Sequence, residues 1–191
     1  MARSTHILQR PPQFQWDTDS APCKSTNCNP TSVAMIAGYY KDKHFSPTYA
    51  RRLMQAGSNA CGGTTNNEAV RGLTKLGVPA STALLTASQV KAKIEARIPV
   101  ILSVNYGKIP RNRKYIQDMG FYGMHAIVAC DAGYGLDHRG RRVTGIWVRD
   151  PDRWGTGKVN KVFWPDYIWK PAFIRPRTTT GLTVFPKAKK S

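Results

Sequence analysis

Three residues with complementary chemistry stand far apart in the chain: Cys28, His125 and Asp150. A thiol becomes a nucleophile when a positive local field holds the thiolate, a base takes its proton and a third group orients the base. Cys28 lies just ahead of a helix expected to begin near Pro30, and the unpaired N–H groups of a helix start favour an anion. His125 opens the apolar run Ala126 to Cys130, which reads as a strand and so as a rigid place to present an imidazole. Asp150 ends a second strand, Val143 to Arg149, and precedes Pro151, which stops it. Two adjacent strands would set the histidine and the aspartate side by side. Each residue alone also has a plainer role: a buried cysteine is a small hydrophobe, and Asp-Pro is a common turn. Asp131 is the rival orienting carboxylate, but it can point across the strand away from His125. His6, His44 and His138 fall in the lead-in, a loop and a Gly/Arg-rich turn, where surface roles are expected.

The four cysteines, Cys23, Cys28, Cys61 and Cys130, contain no CxxC pair, and no histidine follows at finger spacing. A zinc finger is therefore not expected, and no metal or organic cofactor is needed for the thiol chemistry. A Cys23–Cys61 disulfide is possible and would need an oxidising compartment.

The elements that must position these groups follow from periodicity and punctuation. Helices are expected over Pro30 to Lys41, Pro47 to Gln55, Thr64 to Leu76 and Ala87 to Arg97, the last with Ser88 as N-cap. The third helix is expected to turn Asn67, Val70, Leu73, Thr74 and Leu76 to one face. Strands are expected over Pro99 to Val104, Ala126 to Cys130 and Val143 to Arg149, with an aromatic cluster at Trp164, Tyr167, Ile168 and Trp169. Helices come first and strands later, which predicts an α+β fold rather than alternating βαβ units. The chain divides into an extended lead-in over 1–12, one domain over 13–185 and a basic tail over 186–191.

Four segments carry a family resemblance. Cys28 to Tyr40, CNPTSVAMIAGYY, resembles the nucleophile helix of the bacteriocin-leader-peptidase-like (double-glycine peptidase-like) branch of papain-fold cysteine peptidases. Gly123 to Asp131, GMHAIVACD, resembles that branch's histidine strand, and Trp147 to Asp152, WVRDPD, its strand ending in Asp-Pro. Lys93 to Val104 is similar to its helix-then-strand segment. The blocks keep the family's order and cover about residues 13–155. The resemblance implies a papain-like α+β fold, a helical half carrying the cysteine on an antiparallel sheet carrying the histidine and aspartate. It implies Cys28 as nucleophile, His125 as general base and Asp150 as the orienting group. It also implies a glutamine donor to the oxyanion, for which Gln15 is preferred over Gln13. The sequence departs from the pattern at Asn29, where glycine is usual, and at Met124, inserted between Gly123 and His125.

Charge narrows the substrate. The 191 residues carry 29 Lys and Arg against 11 Asp and Glu, a net charge of +18. That excess attracts something acidic: an anionic cell-wall polymer, nucleic acid or anionic lipid. The amino terminus lacks a secretory apolar core, and no stretch reaches the ~20 apolar residues of a membrane span. No Walker-type phosphate loop accompanies the chain, unlike the transporter-fused leader peptidases. Such stand-alone members resemble the peptidase modules of phage lysins, which cut peptidoglycan stem or cross-link peptides. The expectation is a lysin peptidase made in a host cytosol and released to the wall without a signal. Two alternatives stay open. One is a papain-fold protein that has lost its reaction and serves as a basic binding or virion component. Its nucleic-acid grip would use Arg139, Arg141, Arg142, Lys158 and Lys161 beside Trp154 and Trp164. The other is a different acyl transfer, deamidation or transglutamination, by the same three residues.

Overall fold

The computed structural model describes residues 23–55, 61–110, 123–152, 161–175 and 178–187. Helix α1 spans Cys28–Lys41, two residues longer at its start than expected. Pro30 sits third in the helix rather than first. Any first-turn position tolerates proline, because those N–H groups have no intrahelical partner. Cys28 is thus the first helical residue rather than the residue ahead of the helix. Every residue from Asn29 to Gly38 is buried, which makes α1 the central helix.

Helix α2 spans Pro47–Met54, with Pro47 at its first position and the Ser46 hydroxyl accepting from the Tyr49 N–H at 3.1 Å. Helix α3 spans Asn66–Lys75 and begins with a reciprocal capping box between Thr65 and Glu68. Its buried face is Ala69, Gly72 and Leu73. Asn67 and Thr74, expected inside, are exposed. A Cβ on Gly72 would meet Met54 Cγ at 2.5 Å, so α2 and α3 pack where only a bare backbone fits.

Strand β1, Ala80–Thr86, leads directly into helix α4, Ala87–Glu95. The N-cap of α4 is Thr86, closed by Gln89, and not Ser88. Threonine supplies the same hydroxyl acceptor, and a glutamine three residues on completes the box. Strand β2 spans Val100–Asn105, β3 Met124–Leu136, β4 Arg142–Arg149 and β5 Lys161–Pro165. Helix α5, Asp166–Phe173, and strand β6, Thr180–Pro186, follow. The aromatic cluster splits between β5 and α5, with Trp164 and Trp169 fully buried. The β3 strand runs past Cys130 through a bulge between Ala129 and Asp131. Its glycine-rich end pairs with β4, and the Phe163 ring lies where a Cβ on Gly135 would be.

The six strands form one antiparallel sheet in the order β1-β6-β2-β3-β4-β5. Helix α1 rests on β3. The expected α+β architecture is what the chain adopts. A disulfide joins Cys23 to Cys61, with Cα atoms 4.9 Å apart, and pins the segment before α1 to the segment before α3.

Candidate active site

The start of α1, the start of β3 and the end of β4 meet at one place. Antiparallel pairing sets Val104 of β2 against His125, and Arg149 of β4 against Val128. Asp150, one residue past Arg149, is therefore delivered to the His125 end of β3. The His125 Nε2 donates to Asp150 Oδ1 at 2.7 Å. Its other ring nitrogen is left for Cys28, whose sulfur hydrogen-bonds to the imidazole. His125 is 4% exposed and Asp150 is 0% exposed, while Cys28 is half-buried.

The electrostatics favour an ion pair. Burial pushes the Cys28 thiol up, but the His125 hydrogen bond and charge outweigh it, helped by the backbone N–H groups of Ala126 and Asn29, and the thiol lies below its ordinary value. Burial pulls His125 down, but the charge and hydrogen bond of Asp150, with Cys28, hold it well above its ordinary value. Burial pushes Asp150 up, but His125, the Tyr106 hydroxyl and the Asp152 N–H hold its carboxyl below the usual range. Each shift favours the charged form of its group, a thiolate and an imidazolium backed by a carboxylate. That unit can deliver a nucleophile and a proton to the same carbonyl.

Sequence reasoning missed two supporting residues. Tyr106, directly after β2, donates its hydroxyl to Asp150 Oδ2, and its ring lies 4.4 Å from the His125 ring, centroid to centroid. The Asp152 N–H donates to Asp150 Oδ1 at 3.0 Å, so both carboxylate oxygens are occupied. The departure at Asn29 has a structural use. Its Nδ2 donates to the carbonyls of Thr64 at 3.4 Å and Thr65 at 3.2 Å, tying the first turn of α1 to the segment before α3. Met124 is 63% exposed and pairs with Asn105 at the start of β3, next to the His125–Val104 pair.

The rival carboxylate is elsewhere: Asp131 pairs with Lys161 at 2.9 Å. His138 sits on the surface beside the Tyr167 hydroxyl. Gln15 and Gln13 lie outside the described residues, as do His6, Trp154 and Lys158. Of the basic and aromatic residues expected to grip nucleic acid, Arg139, Arg141 and Arg142 are exposed. Trp164 is wholly in the core, Lys161 is engaged with Asp131, and Arg141 with Asp137 at 2.8 Å. Among the described residues no cluster of three or more His, Cys, Asp or Glu side chains is arranged to hold a metal ion. None of the helices among them is long and apolar enough to cross a membrane.

The peptidase C39-like family model matches residues 7–170. No curated protein matches the sequence. Solved structures share the fold at low identity. A C39-like peptidase of Bacillus anthracis superposes with a TM-score of 0.60 at 15% identity, covering 98% of this chain and 99% of that one. A double-glycine-motif protease from an AMS/PCAT transporter, solved with its leader peptide, gives 0.57 at 15% identity and 96% of both chains. Bromelain from Ananas comosus gives 0.52 at 16% identity and 94% of both chains. The chain belongs to the peptidase C39-like family, and family and fold together indicate a papain-like cysteine peptidase.

Proposed function

We propose that the protein is a Cys-His-Asp endopeptidase that hydrolyses peptidoglycan stem or cross-link peptides, as a phage lysin module does. The buried chain of contacts from the Cys28 sulfur through His125 to Asp150 carries the catalytic part. The Cys28 thiolate attacks the amide carbonyl carbon and forms a tetrahedral oxyanion. The Cys28 backbone N–H and the Gln15 side chain donate to that oxyanion. His125 gives its proton to the leaving amine, and a thioester to Cys28 remains. Water, deprotonated by His125, then attacks the thioester and releases the acid. Asp150 holds the ring tautomer throughout.

Two observations support a wall substrate. The net charge of +18 draws the protein to anionic wall polymers. The Cys23–Cys61 disulfide is of the kind that persists outside the cytosol, where a wall-cutting enzyme acts after release. The test is digestion of isolated walls, with new amine and carboxyl termini identified by mass spectrometry. Cut stems or cross-bridges with the wild type, and none with Cys28→Ala, are expected. Intact walls alongside thiol-dependent cleavage of a peptide library would overturn the wall substrate and leave the peptidase. Steeply salt-dependent DNA binding without any hydrolysis would favour the binding-protein alternative.

The direction of each shift sets the pH profile. The lowered Cys28 gives the acid limb, where activity is lost as the thiolate reprotonates. The raised His125 gives the alkaline limb, where the imidazolium loses the proton it must donate. Asp150→Asn removes the charge that holds His125 high, so the alkaline limb of kcat/KM is expected to move to lower pH. An unmoved alkaline limb would take His125 out of the proton-donating role.

A further inference from the structure

Arg51 of α2 is a buried cation, 3% exposed, and its guanidinium faces the segment that leads into Cys28. Its Nε donates to Asn27 Oδ1 at 2.6 Å. One terminal nitrogen donates to the Thr26 carbonyl at 2.6 Å and to the Thr26 hydroxyl at 3.1 Å. The other donates to the Gly62 carbonyl at 2.9 Å, next to the disulfide's Cys61. A single side chain therefore joins residues 26, 27 and 62.

Asn27 is the N-cap of α1, and asparagine there ordinarily accepts from an N–H of the first turn. In α1 it makes no such bond. The third helical residue is Pro30, which has no N–H, so the Asn29 N–H is the donor a cap would take. That same N–H helps to hold the Cys28 thiol below its ordinary value. A capping Asn27 would compete with the thiolate for it.

We propose that Arg51 is a positioning residue for the nucleophile: it holds the Asn27 side chain off the start of α1 and so reserves the Asn29 N–H for the Cys28 thiolate. This rests on Cys28 as the proposed nucleophile and adds how its reactive form is kept. The charged groups around the sulfur are His125 from β3 with Asp150 behind it, Arg51 from α2 and, beyond Arg51, Glu68 from α3. Burial pulls Arg51 below its ordinary value while the Cys28 sulfur and Glu68 pull it back up, so guanidinium and sulfur are within electrostatic reach of each other.

The test is the pH dependence of Cys28 alkylation by iodoacetamide on the full chain with its disulfide intact, followed by peptide mass spectrometry. Cys130, the other free thiol among the described residues, is buried and pushed up to about 11, so it reacts far more slowly. Arg51→Met releases Asn27 to cap the helix. The alkylation midpoint is expected to rise, with a roughly tenfold slower rate on the acid limb. Asn27→Ala in that background removes the competing acceptor and is expected to restore at least half of the lost rate. If Arg51→Met does not fold, Arg51→Lys keeps the charge with fewer donors, and a smaller rise in the same direction is expected. A folded Arg51 variant with the wild-type midpoint overturns the inference. So does a raised midpoint that Asn27→Ala leaves unchanged, since the effect then does not pass through Asn27. Slow alkylation of wild-type Cys28 at neutral pH is a different failure, because it removes Cys28 as an activated nucleophile.

Discussion

Cys28→Ala is expected to lower amide hydrolysis by at least about 10⁴-fold while the protein stays folded. The sulfur is half-buried and lies at the first position of α1, where alanine is an excellent helix former. The core beneath it is built from Val33, Ala34, Ile36 and Ala37, which the substitution does not touch. His125→Ala is expected to cost as much, since a thiol without its base and counter-ion is a poor nucleophile. The double variant is expected to be little worse than either single one, because the two groups act as one unit. Initial rates on a peptide substrate, with the thermal midpoint of each variant as the folding control, check both statements. Losses that multiply in the double variant would mean that the groups act independently.

Removing the disulfide is expected to cost about 4 kcal/mol, the chain-entropy value for a loop closed over 38 residues. For a chain of this length that is a fall of roughly 8–16 °C in the thermal midpoint. Cys23→Ser/Cys61→Ser and treatment of the wild type with reductant should agree. The loop it closes holds α1, α2 and two of the three partners of Arg51, Thr26 and Asn27, while the third, Gly62, follows directly after Cys61. The remaining tethers are Arg51, Asn29 and the Thr26 hydroxyl on the Cys61 carbonyl at 2.8 Å. Activity well below the new midpoint is therefore expected to survive. Thermal unfolding with and without the disulfide, and rates measured well below both midpoints, check the two statements, and an unchanged midpoint would show that these tethers alone fix the segment.

Cys28, His125 and Asp150 were legible because the segments around them resemble, in order, one family's nucleophile helix, histidine strand and Asp-Pro strand; a helix-starting proline, an apolar run and an Asp-Pro stop alone each had a plainer reading. Their supports were not legible. Arg51 is one of 29 Lys and Arg residues, and nothing local separates it from the solvated ones. Its role is set by residues on other elements, as is that of Tyr106 toward Asp150. Strands β1 and β6 escaped notice for a related reason. Their threonines and alanines carry little apolar alternation, and each strand is stabilised by the other across most of the chain, as in Thr86 against Thr180. The helix starts at Thr65 and Thr86 follow a strictly local rule and could have been read from it.

The position of β6 bears on how the protein is made. It is the last of the six strands to be synthesised, yet it lies between β1 and β2. While the ribosome is still adding those residues, β1 has no neighbour and one edge of β2 is open. Cys28 and His125 precede β6 in the chain, on elements whose sheet still lacks the strand between β1 and β2. The sheet is therefore completed only when residues 180–186 insert between β1 and β2, after every strand they join has already been made.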